Sequence, residues 1–154
     1  MKKRSVVLTL VFCLLGLSVG FAAENPNMGT WKLNEAKSKI PAGATKNTTV
    51  VYEPAGDSVK VTIDGTTADG KPAHNEWTGK FDGKDYPVTG DPNVDTRSLK
   101  MVNERTLDLT AKKDGKVITH GKIEVSKDGK TRTVDLETTA NGKKVKGKMW
   151  YDKQ

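Results

Sequence analysis

The sequence predicts an all-β protein, an antiparallel up-and-down β-barrel of about 8–10 strands with at most one short helix. Three observations predict it. Asp64-Gly65, Asp69-Gly70, Asp82-Gly83, Asp114-Gly115, Asp128-Gly129 and Asn141-Gly142 punctuate the chain, and such dipeptides supply the positive φ of tight hairpin turns. Between them lie short segments rich in Val, Thr, Ile and Leu that alternate apolar and polar residues with period two. Segments with a helical period are almost absent. Consecutive hairpins with one apolar face make a meander, and a meander this long hides its two edges most simply by closing on itself.

In chain order, residues 30–33 form the first expected strand. Asn34 caps one or two helical turns over residues 34–39, which Pro41 and Gly43 stop. A weaker strand follows at 46–53. At 58–64, Val59, Val61 and Ile63 alternate with Ser58, Lys60 and Thr62. Weaker strands are expected at 74–81 and 84–88. Residues 90–95, with Pro92 and Asn93, read as a loop. Leu99 and Met101 define one face of 97–103, and Leu107 and Leu109 one face of 106–110. Strands at 117–125, 131–138 and 143–151 carry Ile123 and Val125, Val134 and Leu136, and Val145, Met149 and Tyr151 on their apolar sides. The polar sides are rich in Lys, as a solvated exterior requires.

Residues 1–23 read as a secretory signal peptide, and residues 24–154 as one barrel domain. Lys2, Lys3 and Arg4 form a basic start, residues 6–17 an apolar run, and Gly20-Phe21-Ala22 or Phe21-Ala22-Ala23 a small-residue end. The run is too short for a stable membrane span. Removing 23 residues from 154 leaves 131, lowers the formal charge from +7 to +4, and removes Cys13. Cys13 is not expected to carry a lipid anchor, because Phe12 precedes it where a small residue is needed. A chain without cysteine excludes thiol catalysis, disulfides, Fe–S clusters and Cys-type zinc sites. A charge of +4 spread over 23 cations and 19 anions is a solvated surface, not a nucleic-acid footprint. The expected location is the periplasm or outside the cell, with no stable membrane insertion once the leader is cleaved.

Asn27-Met28-Gly29-Thr30-Trp31 resembles the first lipocalin motif, whose Gly-x-Trp is shared with the intracellular fatty-acid-binding proteins. The end, Trp150-Tyr151-Asp152-Lys153, is similar to the closing strand of the latter. This resemblance implies a calycin barrel that holds a small apolar ligand, with Trp31 plugging its closed end. The chain departs from those families in two places. It has no Thr-Asp-Tyr/Phe motif, and Met149 stands where fatty-acid-binding proteins usually carry an Arg. The pieces at 29–34, 37–39 and 82–90 also resemble a group of small secreted bacterial proteins of unassigned function.

Only Arg97, Arg105 and Arg132 are arginines in the barrel domain, against 20 lysines. Arg97 shares parity with Leu99 and Met101, and Arg132 with Val134 and Leu136, so both point inward. An interior guanidinium must be paired or reach solvent. Each is a candidate to receive an anionic head group, or else sits at a strand end or pairs with a structural carboxylate. Arg105 reads as a turn residue. Tyr151, Trp77, Phe81 and Met101, with Tyr86 nearby, either line a pocket or fill the core. His74 and His120 lie on the outward parity without a third metal ligand, and Ser38, Ser58, Ser98 and Ser126 sit in no nucleophile-elbow context. No metal and no cofactor are expected. Asn47-Thr48-Thr49 is formally a glycosylation acceptor.

The expected function is non-catalytic binding of a small apolar or amphipathic molecule inside the barrel, at candidate residues Arg97, Arg132, Tyr151, Trp77, Phe81 and Met101. The alternative is a solid barrel that works through its loops or Lys-rich exterior as a protein-interaction module, an inhibitor or an envelope-associated factor. Catalysis ranks last, since no nucleophile, base and orienter come together. Nucleic acid is not an expected partner, and no particular protein partner is implied.

Overall fold

The computed structural model describes residues 25–154, so the leader read at residues 1–23 lies outside the described residues. The ten strands are β1 (Gly29–Leu33), β2 (Lys46–Ala55), β3 (Ser58–Thr66), β4 (Pro72–Gly79), β5 (Tyr86–Thr89), β6 (Thr96–Asn103), β7 (Thr106–Lys113), β8 (Lys116–Val125), β9 (Thr131–Ala140) and β10 (Lys143–Lys153). Each pairs antiparallel with the next, and β1 returns to β10 through Trp31↔Lys153 and Leu33↔Tyr151, closing the barrel. Closure removes the two free edges that an open meander would expose.

Asp114-Gly115 and Asn141-Gly142 turn the last two open-end hairpins with both residues at positive φ (50° and 72°, 50° and 73°). That pair of angles matches the right-handed twist of the flanking strands. The only helical piece among the described residues is one 3₁₀ turn, Glu35–Lys37, capped by the Asn34 side chain, which accepts from the Lys37 N–H at 3.3 Å.

Strands β2, β3, β7, β9 and β10 end two or three residues later than expected, and β4 and β5 are displaced. Strand β5 has four residues and joins each neighbour through only two pairs, Glu76↔Thr89 and Trp77↔Val88 on one side, Tyr86↔Arg97 and Pro87↔Thr96 on the other. Pro87 has no N–H to extend the ladder. Strand β4 stops at Gly79, so Phe81 lies in the β4–β5 connection, where its carbonyl accepts from the Met101 N–H at 3.1 Å.

The core is built from inward positions of almost every strand: Trp31, Val50, Val61, Ile63, Trp77, Leu99, Leu107, Ile123, Val125 and Val134 are all buried. Trp31 is 0% exposed, and its indole N–H donates to the Asn27 carbonyl at 2.9 Å. Asn27 is itself fixed by Asn25 Oδ1, which accepts from its backbone and side-chain nitrogens at 3.0 Å. Trp31 thus seals the end that holds the start of β1 and the β2–β3, β4–β5, β6–β7 and β8–β9 connections. The opposite end holds the longer β1–β2 and β5–β6 connections.

Candidate functional site

A cavity of about 360 Å³ opens between those longer connections, a volume at the small end for ligand sites. Ile40, Pro41 and Ala44 from the β1–β2 connection and Asp91, Asn93 and Val94 from the β5–β6 connection form its mouth. Its walls are mixed, with Val50, Val61, Ile63, Leu99, Leu109 and Val134 among the apolar side chains and Asn47, Asn75, Thr119 and Thr138 among the polar ones. Its most unusual feature is two guanidinium groups, Arg97 and Arg132.

Arg132 stands opposite Val125 on β8 and Tyr151 on β10, so the barrel register turns it inward. It is 2% exposed. Its Cζ lies 4.7 Å from the Tyr151 ring centroid, 5.0 Å from Trp31 and 5.1 Å from Tyr52. Desolvated cation–π contacts of this kind are worth about 2 kcal/mol or more each, still below what unpaired burial of a charge costs. Yet Nε and Nη1 have no hydrogen-bond partner. No ion pair among the described residues includes Arg132 or Arg97.

Arg97 enters from β6. Its Nη2 donates to Asn75 Oδ1 at 3.1 Å, while Nη1 is buried without a partner. Its carbonyl accepts from the Trp77 indole N–H at 2.8 Å, which fixes the backbone from which the side chain springs. Burial pushes the Arg97 pKa down, a loss partly offset by Tyr52 and by Asp91 at the mouth. Burial likewise pushes the Tyr151 phenol up to about 12, against the opposing pull of Arg132. The Tyr151 hydroxyl donates to the Asn47 carbonyl at 3.1 Å.

A strap covers part of the mouth. After the 3₁₀ turn, Lys39 exchanges both backbone hydrogen bonds with Lys148 on β10 (2.7 and 3.0 Å), and the Trp150 N–H donates to Ser38 Oγ at 2.9 Å. Pro41 then packs into the space left by Gly147, where a Cβ would come within 2.6 Å of the proline ring.

Among the sequence candidates, Arg97, Arg132 and Tyr151 line the cavity, whereas Trp77, Phe81 and Met101 do not. Trp77 is buried behind the wall, edge-on to Tyr86 at 5.8 Å. Phe81 packs edge-on to Tyr52 at 6.5 Å. Met101 has the inward parity of Leu99 and stands opposite buried Leu107, yet it is 42% exposed. Tyr52 and Asn75 were not singled out from the sequence. Asn75 carried a signal, as a polar residue on the apolar parity of Trp77. His74 sits on the exterior, its Nδ1 2.7 Å from Asp64 Oδ1.

No family model matches the chain, and no curated protein matches its sequence. Among solved structures, it is similar to a redesigned β-barrel, mFAP1, bound to DFHBI, with TM-score 0.45 and 16% identity over 83% of this chain and 95% of that one. It is also similar to EF1p2_mFAP2b bound to DFHBI, with TM-score 0.44 and 14% identity over 84% of this chain and 94% of that one.

Proposed function

We propose that this chain is an exported, non-catalytic binding protein for a small amphipathic molecule with an acidic head, held inside the barrel. One observation carries the reading: Arg97 and Arg132 both face one cavity, and each keeps buried N–H groups that nothing in the protein accepts. A native fold tolerates such donors where a ligand completes them. The apolar side chains of the wall take the remainder of the molecule at roughly 25 cal/mol per Å² removed from water. Export rests on the basic and apolar pattern of residues 2–17. The non-catalytic reading is supported by three of the cavity's hydroxyls, which are engaged within the protein: Thr119 and Thr138 bond each other at 2.7 Å, and Tyr151 donates to the Asn47 carbonyl.

Native mass spectrometry of the protein purified from its own host tests this. A co-purifying acidic molecule that is lost in Arg132→Ala is the expected result. An empty barrel that also ignores a panel of anionic fluorescent lipids would contradict it. The solid-barrel alternative requires a filled interior, and a cavity of about 360 Å³ speaks against it.

A further inference from the structure

The charge inside the cavity is unbalanced, and this bears on what kind of acid the ligand carries, an inference that rests on the binding function just proposed. Arg97 and Arg132 bring two positive charges. The titratable groups that face them are Tyr52 from β2, Tyr151 from β10 and Asp91 from the β5–β6 connection; no histidine lines the cavity. Asp91 is the one carboxylate among the lining residues. It stands at the mouth, with Oδ1 accepting from the Asn93 N–H at 2.9 Å, and it forms no ion pair with either arginine.

Both guanidiniums line the one cavity, as does Tyr52, and the Arg132 Cζ lies 5.1 Å from the Tyr52 ring centroid. A carboxylate or any other single negative charge placed beside Tyr52 would leave one guanidinium uncompensated in a buried enclosure. That residue of charge is what buried sites avoid.

We propose that the head group held beside Tyr52 is a compact dianion of the phosphate-monoester type, its terminal oxygens shared between Arg97 and Arg132. Three terminal oxygens give acceptors to the unpartnered Nη1 of Arg97 and to Nε and Nη1 of Arg132 at once. The alkyl or aryl portion runs along the apolar side chains of the wall.

Calorimetric titration of the protein with decyl phosphate, decyl sulfate and decanoate separates charge from shape. Sulfate is the tetrahedral monoanion, and it also reports any titration of the protein itself. Decyl phosphate is expected to bind roughly tenfold tighter than either at pH about 8, and to lose that advantage at pH about 5 as its second proton returns near pH about 6. Arg97→Met and Arg132→Met should each bring phosphate down to the sulfate level. If sulfate or decanoate binds as tightly as phosphate at the higher pH, the dianion proposal is overturned while the acidic-amphiphile reading stands. If none of the three binds, both are overturned.

Discussion

Arg132 and Tyr151 are direct neighbours across the β9–β10 ladder, and the guanidinium carbon of the first lies 4.7 Å from the ring centroid of the second. This pairing brings the most deeply buried cation of the barrel against a phenol that burial keeps protonated. Arg132 is therefore held in a cage of rings without a counter-charge, an arrangement costly for the empty protein and useful to a filled one.

The first prediction follows from that cost. Arg132→Met keeps the apolar stem and removes the unpaired charge, so the ligand-free barrel should gain stability by about 1–4 kcal/mol. Binding of anionic amphiphiles should fall in the same variant. Urea unfolding and a displacement titration measure the two effects, and a stability loss would mean that the charge is paired in solution.

The phenol gives a pH prediction. Tyr151 has its folded pKa raised to about 12 from 10.0. It stays neutral in the fold while the unfolded chain ionises, so its contribution is present below pH 10 and is lost as pH rises from 10 towards 12. The loss is on the order of 3 kcal/mol. Unfolding midpoints across that range should fall steeply, and Tyr151→Phe should flatten the slope.

At acid pH the sign reverses. Asp95 accepts from Lys113 Nζ and from the Asp114 N–H, both at 2.7 Å, tying the start of β6 to the β7–β8 turn. Those contacts, Lys113 foremost, hold its carboxyl below the ordinary 3.8. Its stabilisation is thus present above pH 3.8 and disappears as pH falls through the lower folded value. Acid unfolding of Asp95→Asn should show a shallower decline below pH 4 than the parent protein.

The strap prediction concerns access. Gly147→Ala places a methyl where Pro41 now sits, so residues 39–41 must lift from β10. Ligand exchange should quicken, while the far-ultraviolet circular dichroism of the barrel stays unchanged. Unaltered exchange would show that the strap does not gate the mouth.

At the closed end, Leu107 is 0% exposed and packs among core residues from neighbouring strands. Leu107→Ala should destabilise the barrel by about 2–5 kcal/mol through lost burial and a cavity. Met101→Ala, though on the same face of the sheet in sequence terms, should cost well under 1 kcal/mol because the side chain is 42% exposed.

That contrast shows what local pattern carries. Period-two alternation and most of the Asp-Gly and Asn-Gly signals located the strands of the barrel, even the weak ones at 46–53 and 84–88, because each is a property of adjacent residues; Asp64-Gly65 is the exception, lying inside β3 where it pairs with both β2 and β4. Parity also turned Arg97 and Arg132 inward. It does not say which inward side chains reach the cavity: Trp77 and Phe81 pack into the core instead, and Met101 is exposed. The cage around Arg132 draws Trp31 from β1, Tyr52 from β2 and Tyr151 from β10, and these meet only when β1 closes on β10. Nothing local encodes that meeting. Asn75 was the exception: its place on an apolar face was visible in the sequence, and the structure explains it as the acceptor for Arg97. The strap left only its punctuation, Pro41 and Gly43, in the sequence.

The central claim is that one acidic head group engages both buried guanidiniums. Side-chain Nε–Hε nuclear magnetic resonance tests it most directly, since the described chain has only Arg97, Arg105 and Arg132 to assign. On titration with decyl phosphate, the Arg97 and Arg132 signals should shift together and saturate together, while Arg105, whose Nη1 donates to the Val125 carbonyl near the closed end, stays in place. Saturable binding that leaves both interior signals unmoved would contradict the account.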